Sequence, residues 1–248
     1  MTTIIIALVI AFIWGFSEIC YKRATNKYNA VNVLMHSYLF EILIYLLFVL
    51  IVDISAFTRF NPRIFIYIAP MFILSVGLGN IFYLYSIKNG NLSIVSPILA
   101  SDPVYVILIG MLLFHENISI YELIPLIIIC ASICALNFVS SKTKEKVKKT
   151  AILFASCYAL IVAITTTLEK SVYLSGFKLS DFYFHYTLLL ILVVIILAIF
   201  MKVKHIKLEK PDKDIVLSNS LSRGGYFLHS YLLSTAYISI VSPLTGLY

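Results

Sequence analysis

Thr187–Phe200 reads "TLLLILVVIILAIF", with no charged residue and no break in its apolar character. A strand of a membrane barrel would alternate lipid-facing and polar positions over about ten residues. This run does not alternate, so it reads as a helix buried in something apolar. The rest of the chain says what that is: 61% of its residues are hydrophobic and 12% are charged, at a mean hydropathy of +0.98. Soluble domains carry about 25% charged residues, and a water-soluble fold this apolar has nowhere to hide its Leu, Ile and Phe. The solvent is lipid, where only helices and closed barrels satisfy the backbone.

A span needs about 20 residues. Complete spans are expected at 3–22, 33–52, 64–87, 92–114, 120–140, 150–174, 180–201 and 214–236, and a ninth starts near Ser239. Charge-rich breaks such as "YKRATNKYN", "DISAFTRFNPR" and "KVKHIKLEKPDKD" separate them, with the weakest break at "KNGN". The first span has no Lys or Arg before its apolar run and no small-residue cleavage pattern. It reads as retained, not as a cleaved signal.

"SIVSP" occurs twice, at Ser93–Pro97 and Ser239–Pro243. Sliding the second copy back by 146 places Gly225 on Gly79, Tyr226 on Asn80, His229 on Tyr83 and Tyr231 on Tyr85. With small indels, His185 falls on His36, Lys170 on Lys22, and Ala159 and Ala163 on Ala11 and Gly15. These matches keep their order, as an internal duplication requires. The expected units are 1–140 with five spans, a basic linker at 141–149, and an incomplete second unit at 150–248. Five is odd, so the second unit enters the membrane upside down. Inverted repeats mark secondary transporters, whose sites lie near the midplane between the repeats. Pro97 and Pro243 fall at matching places, where each frees a backbone carbonyl and can distort its helix.

The opening "WG" with a following Ser (Trp14, Gly15, Ser17) and the segment "NLSIVSPILASDPVYVILIGMLLFHENIS" carry a family likeness. With Pro97, Pro103 and Glu116 in place, the chain resembles the EamA-type members of the drug/metabolite transporter superfamily. The resemblance implies ten helices in two inverted five-helix repeats and a role in moving small metabolites, often outward. Measured against that pattern, the second repeat lacks its tenth helix and the mate of Glu116. The chain therefore reads as a fragment of a longer protein or as a short form needing a partner.

An ionisable group at bilayer depth is a candidate functional group. Asp102 lies near the centre of the fourth span and is the type of group proton coupling needs; alternatively, with Pro103, it closes a helix contact. Arg223 stays charged and shares a polar stripe with Asn219, Tyr226 and Ser230 on the eighth span. It reads as a partner of Asp102 or as a binder of a substrate carboxylate. Glu18 faces the cavity or pairs with Lys22 at the membrane boundary. Trp14, Asn80, Tyr83 and His229 complete the substrate-binding or coupling candidates. Glu169 and Lys170 read as interfacial, Glu41 as an acid paired elsewhere in the bundle, and His36 and His185 as sharing a structural job near the interface.

No nucleotide-binding motif, paired catalytic acids or HExxH is present, and the short basic loops leave no room for an active site. No enzyme activity, catalytic residue, cofactor or metal is expected. Cys20, Cys130, Cys134 and Cys157 read as buried small hydrophobes. The +7 net charge suits basic loops facing anionic lipid and calls for no nucleic-acid partner. Expected partners are a small-molecule substrate and membrane lipid, with a homodimer an open option. The expected location is the cell membrane, crossed many times; in a bacterium or archaeon this is the cytoplasmic membrane. The leading function is a secondary transporter of small metabolites, an exporter working by alternating access, with proton coupling open. A membrane scaffold or sensor is the alternative, and an intramembrane enzyme a more distant one. Lys and Arg concentrate after odd-numbered spans, which places the N-terminus outside, whereas the resemblance places both ends inside.

Overall fold

The computed structural model describes residues 2–114 and 148–235 together with Ile124, Ile127, Ile128, Ala131, Val241 and Thr245, with side chains from Ile5 onward. Pro243, Glu116, Cys130, Cys134, most of the fifth span, most of the start of the ninth and most of the linker lie outside the described residues. Nine α-helices are named among the described residues: α1 (Thr2–Lys27), α2 (Ala30–Val52), α3 (Phe65–Phe72), α4 (Asn80–Asn89), α5 (Leu92–Leu99), α6 (Asp102–Phe114), α7 (Lys149–Leu174), α8 (Leu179–Val203) and α9 (Lys213–Thr235). Six stretches among the described residues are long and apolar enough to cross a membrane: Ile5–Lys27, Ala30–Val52, Pro62–Asn89, Leu92–Leu113, Lys149–Leu174 and Leu179–Val203. The eighth expected span is the helix α9. Its polar stripe keeps it out of that apolar set.

Two spans are broken, each for a local reason. The third is α3, a seven-residue π-helical stretch at Ile73–Gly79, and α4. Widening to a π turn loosens the backbone ladder, and the Tyr38 hydroxyl donates to the Val76 carbonyl inside that stretch (3.2 Å). The fourth span breaks at Ala100–Ser101, between α5 and α6. Pro97 does not cause this break, because α5 runs through it. Pro97 clashes back only toward Ser93, in the first turn of α5, where little helix precedes it. Pro103 withholds its N–H from Leu99 at mid-span. There the backbone tightens into Ser101 N to Ile98 O and Val104 N to Ser101 O bonds, both 3.1 Å.

α1 extends through Lys27 rather than ending near residue 22, because Lys and Arg are good helix formers whose stems cover apolar surface. The turn follows at once: the Asn29 side chain caps α2 by accepting from Asn32 N at 2.8 Å. The "KNGN" break is a true turn. A Cβ on Gly90 would overlap Val95 and the Ser86 carbonyl, so only glycine admits so tight a corner between α4 and α5.

The helices of the two halves alternate in contact. α1 lies antiparallel to α9, through Trp14 Nε1 to Ser222 O (3.3 Å) and Ser17 Oγ to Ser218 O (2.9 Å). The third span lies against α7, through the ring pairs Tyr83–Tyr158 and Tyr85–Phe154. α2 packs on α8 through Tyr45, Phe48 and Tyr183. Glycines make the close approaches possible: a Cβ on Gly225 would overlap the Trp14 indole, and one on Gly79 would sit 3.3 Å from Ile161.

Two lysines, Lys22 half-buried and Lys170 buried, perform the same task. Lys22 Nζ donates to the carbonyls of Ile87 and Gly90 at the end of α4, and Lys170 Nζ donates to the Leu233 carbonyl near the end of α9 (2.7 Å). Each supplies a cation to the negative end of a helix. The two histidines are similarly matched. His36 Nε2 bonds the Glu209 carbonyl in the loop after α8 (2.8 Å), and His185 Nε2 accepts from Asn61 N in the loop after α2 (3.0 Å).

Glu169 and Lys170 do not lie at an interface with water; both are buried in the bundle. α7 continues beyond them to Leu174, so they sit more than a turn from its end. Lys22 likewise does not pair with Glu18. Cys20 is buried and Cys157 partly so. Exposed apolar side chains such as Phe12, Ile51, Leu112 and Ile196 cover the outside, as a lipid-facing surface requires.

The ends carry most of the ion pairs among the described residues. At one end Lys27 pairs with Asp212 (2.7 Å) and Asp214 (2.6 Å). At the other, Arg59 pairs with Asp53 (2.6 Å) and Asp181 (2.8 Å), and Ser180 also donates to Asp53. Hydrogen bonds from Arg59, then from Ser55 and Ser180, hold the Asp53 carboxyl well below the usual carboxylate range.

Candidate functional site

A cavity of about 130 Å³ lies between the halves, room for on the order of ten waters or one small ligand. Trp14, Glu18, Asn80, Tyr83, Asp102, Arg223, Tyr226 and His229, the residues singled out from the sequence, all line it. They come from α1, α4, α6 and α9, which the interlocked packing brings to one place. Glu18 and Arg223 stand midway along α1 and α9, and Asp102 opens α6 at the break in the fourth span. At such a break a carboxylate meets the positive end of the following helix.

Arg223 does not pair with Asp102. Its Nη2 lies 3.2 Å from Glu41 Oε2. α2 carries Glu41 past the middle of α9, a contact that no local spacing announces. The Tyr45 hydroxyl, one turn along, also donates to Glu41 (3.0 Å). The Arg223 guanidinium carbon sits 5.5 Å from the Tyr226 ring centroid. Glu18 accepts from the Ser96 hydroxyl, so α1 is tied to α5 just ahead of the break. Asn80 Nδ2 donates to the Tyr38 hydroxyl (3.1 Å), which is in turn the donor to the π-helical Val76 carbonyl. Two buried nitrogens on the cavity wall, Arg223 Nε and His229 Nδ1, have no hydrogen-bond partner among the described residues.

Further lining residues carry other readings in the sequence, Glu41 as a paired acid and Glu169 as an interfacial one. Glu169 accepts from the Tyr173 hydroxyl at 2.8 Å. Tyr158, Val162, Thr165, Thr166 and Glu169 all line the cavity from α7. They recur at helical spacing, and that polar stripe through an apolar span is the signal that marks this face. Among the described residues, no three His, Cys, Asp or Glu side chains converge as metal ligands would.

The fold and this wall define a class: a polytopic helical membrane protein with a mid-bundle cavity lined by polar and aromatic side chains. The EamA-like transporter family matches residues 1–138, more than half of the chain, and the chain belongs to that family. It is 25% identical over 162 residues to an uncharacterized transporter of Archaeoglobus fulgidus. That alignment takes in 65% of this chain and 58% of the relative, so the chain spans under two thirds of the relative's length. A protein of known crystal structure superposes with a TM-score of 0.69 at 10% identity, covering 99% of this chain and 83% of that one. This last likeness is one of fold.

Proposed function

We propose that the protein is a secondary transporter that exports small metabolites by alternating access, its two inverted halves rocking about the cavity. The observation that carries this is the cavity itself: polar and titratable side chains from both halves converge at mid-bundle depth, where an unused charge is costly. The inverted relation is supported by pairs already aligned in the sequence. Gly79 and Gly225 each seat a residue from the first helix of the other half. Lys22 and Lys170 each hold the end of a third span, and His36 and His185 each hold the loop that follows the other's helix. Broken helices beside a site are a common feature of such transporters. Asp102, at the break, and Glu18 are the proposed coupling groups, and Arg223, Asn80 and Tyr226 the proposed substrate contacts. The cytoplasmic membrane is the proposed location.

The test is uptake into proteoliposomes driven by an imposed proton gradient, for wild type and Asp102→Asn. Loss of gradient-driven accumulation, with substrate exchange retained, is expected. Unchanged coupled transport in the variant would remove Asp102 from this role.

A further inference from the structure

Among the described residues, four carboxyl side chains line the cavity: Glu18, Glu41, Asp102 and Glu169. Among its described lining residues, Arg223 is the one Lys or Arg, and Glu41 takes up its charge at 3.2 Å. The hydrogen bonds to Glu18 and Glu169 come from neutral donors, the Ser96 and Tyr173 hydroxyls. Neither acid belongs to an ion pair among the described residues. The wall is therefore rich in acids beyond what its own cation balances.

The remaining wall is aromatic. Trp14 meets Tyr226 at 5.3 Å and His229 at 5.4 Å, and Tyr83 meets Tyr158 at 5.0 Å between ring centroids. Ring faces attract cations, most strongly where water is excluded. The wall already holds one cation in this way, Arg223 over Tyr226. His229 Nδ1, buried and without a partner among the described residues, can accept a hydrogen bond from a ligand N–H. Arg223 Nε, equally without a partner, can donate to an oxygen on the ligand. An anion entering this space would face the acids, a repulsion that excludes wrong ligands as effectively as attraction selects the right one.

We propose that the cavity selects amines in their cationic form, with the ammonium group set among Glu18, Glu169 and the ring faces and an aromatic or alkyl body along the tyrosines. Binding of the amine stands on the cavity alone, and its passage rests on the transporter reading above.

Trp14 is the only tryptophan of the chain, so its emission reports directly on this cavity. Four probes with one body and different charge decide the matter at neutral pH: 2-phenylethylamine, 2-phenylethanol, 3-phenylpropionate and phenylalanine. The amine is expected to quench Trp14 saturably, at least roughly ten-fold more tightly than the other three. Glu18→Gln and Glu169→Gln should each weaken the amine about ten-fold or more while leaving 2-phenylethanol unchanged. Should either variant fail to fold, the ranking of the four probes on wild type still decides. Equal or tighter binding of the alcohol, the acid or phenylalanine would overturn the proposal. So would an amine affinity untouched in both variants, or no saturable quenching by the amine. Counterflow of the same probes in proteoliposomes separates the two claims. Passage of 3-phenylpropionate or 2-phenylethanol without the amine would sink cation selection and keep the transporter. Binding of the amine with no passage of any probe would do the reverse.

Discussion

At the scale of single residues, the cavity is held by contacts that tolerate little change. Gly225 lets the Trp14 indole lie against α9, and any larger residue must push the ring out. Gly225→Val is expected to cost about 1–3 kcal/mol through overpacking and to shift Trp14 emission, measured by thermal unfolding in detergent and by fluorescence. Glu41 and Arg223 form a buried pair, and removing one partner strands the other's charge. Glu41→Gln should therefore destabilise by about 3–5 kcal/mol, while Glu41→Gln combined with Arg223→Met should recover most of that loss in the same melts. Depth in the sequence was enough to find Asp102, Arg223 and Glu18, because a charge in an apolar run stands out. It was not enough to pair them. The partner of Arg223 lies on α2, and which helix passes beside it is decided by packing of the whole bundle. Glu169 reads as interfacial because it stands near the end of its span, yet packing buries its side chain, where it accepts from Tyr173.

At the scale of elements, long apolar runs make the helices legible, and turn residues such as Asn29 and Gly90 make their ends legible. The interruptions were harder. "SIVSP" drew attention to Pro97, yet the break comes where Pro103 denies Leu99 its partner. The π-helical stretch is hinted at only by Gly77 and Gly79, because the register of a backbone ladder leaves little trace in side-chain pattern. The 53–63 loop is fastened to the start of α8 through Arg59, and this contact has a pH signature. Asp53 is bound to Arg59, so its folded pKa lies below its unfolded value. Its contribution is fully present above the ordinary carboxylate range of about 4 and is lost as the pH falls through the lower folded value. Arg59→Gln should remove part of this acid-sensitive stability and flatten the acid limb of melting temperature against pH. An identical acid limb in the variant would show that the loop is held by other means.

At the scale of the whole molecule, the Lys22 and Lys170 seats lie at opposite ends of the bundle, because α1 and α7 each carry their lysine toward the end they finish on. A hydrogen bond to a charged group is worth about 1.5–3 kcal/mol. Lys22→Met is accordingly expected to speed amide exchange roughly ten-fold or more around residues 86–91 and to leave 231–235 unchanged. Lys170→Met should do the opposite, read by mass spectrometry of exchanged peptides. Loosening of both ends by either variant would show that they do not open separately. If they are separate, and the halves rock by alternating access as proposed above, the side on which the empty protein rests open would be set by which lysine seat yields first. On that reading the cavity would decide what is carried, and two ammonium groups outside its wall would decide which way the empty protein faces.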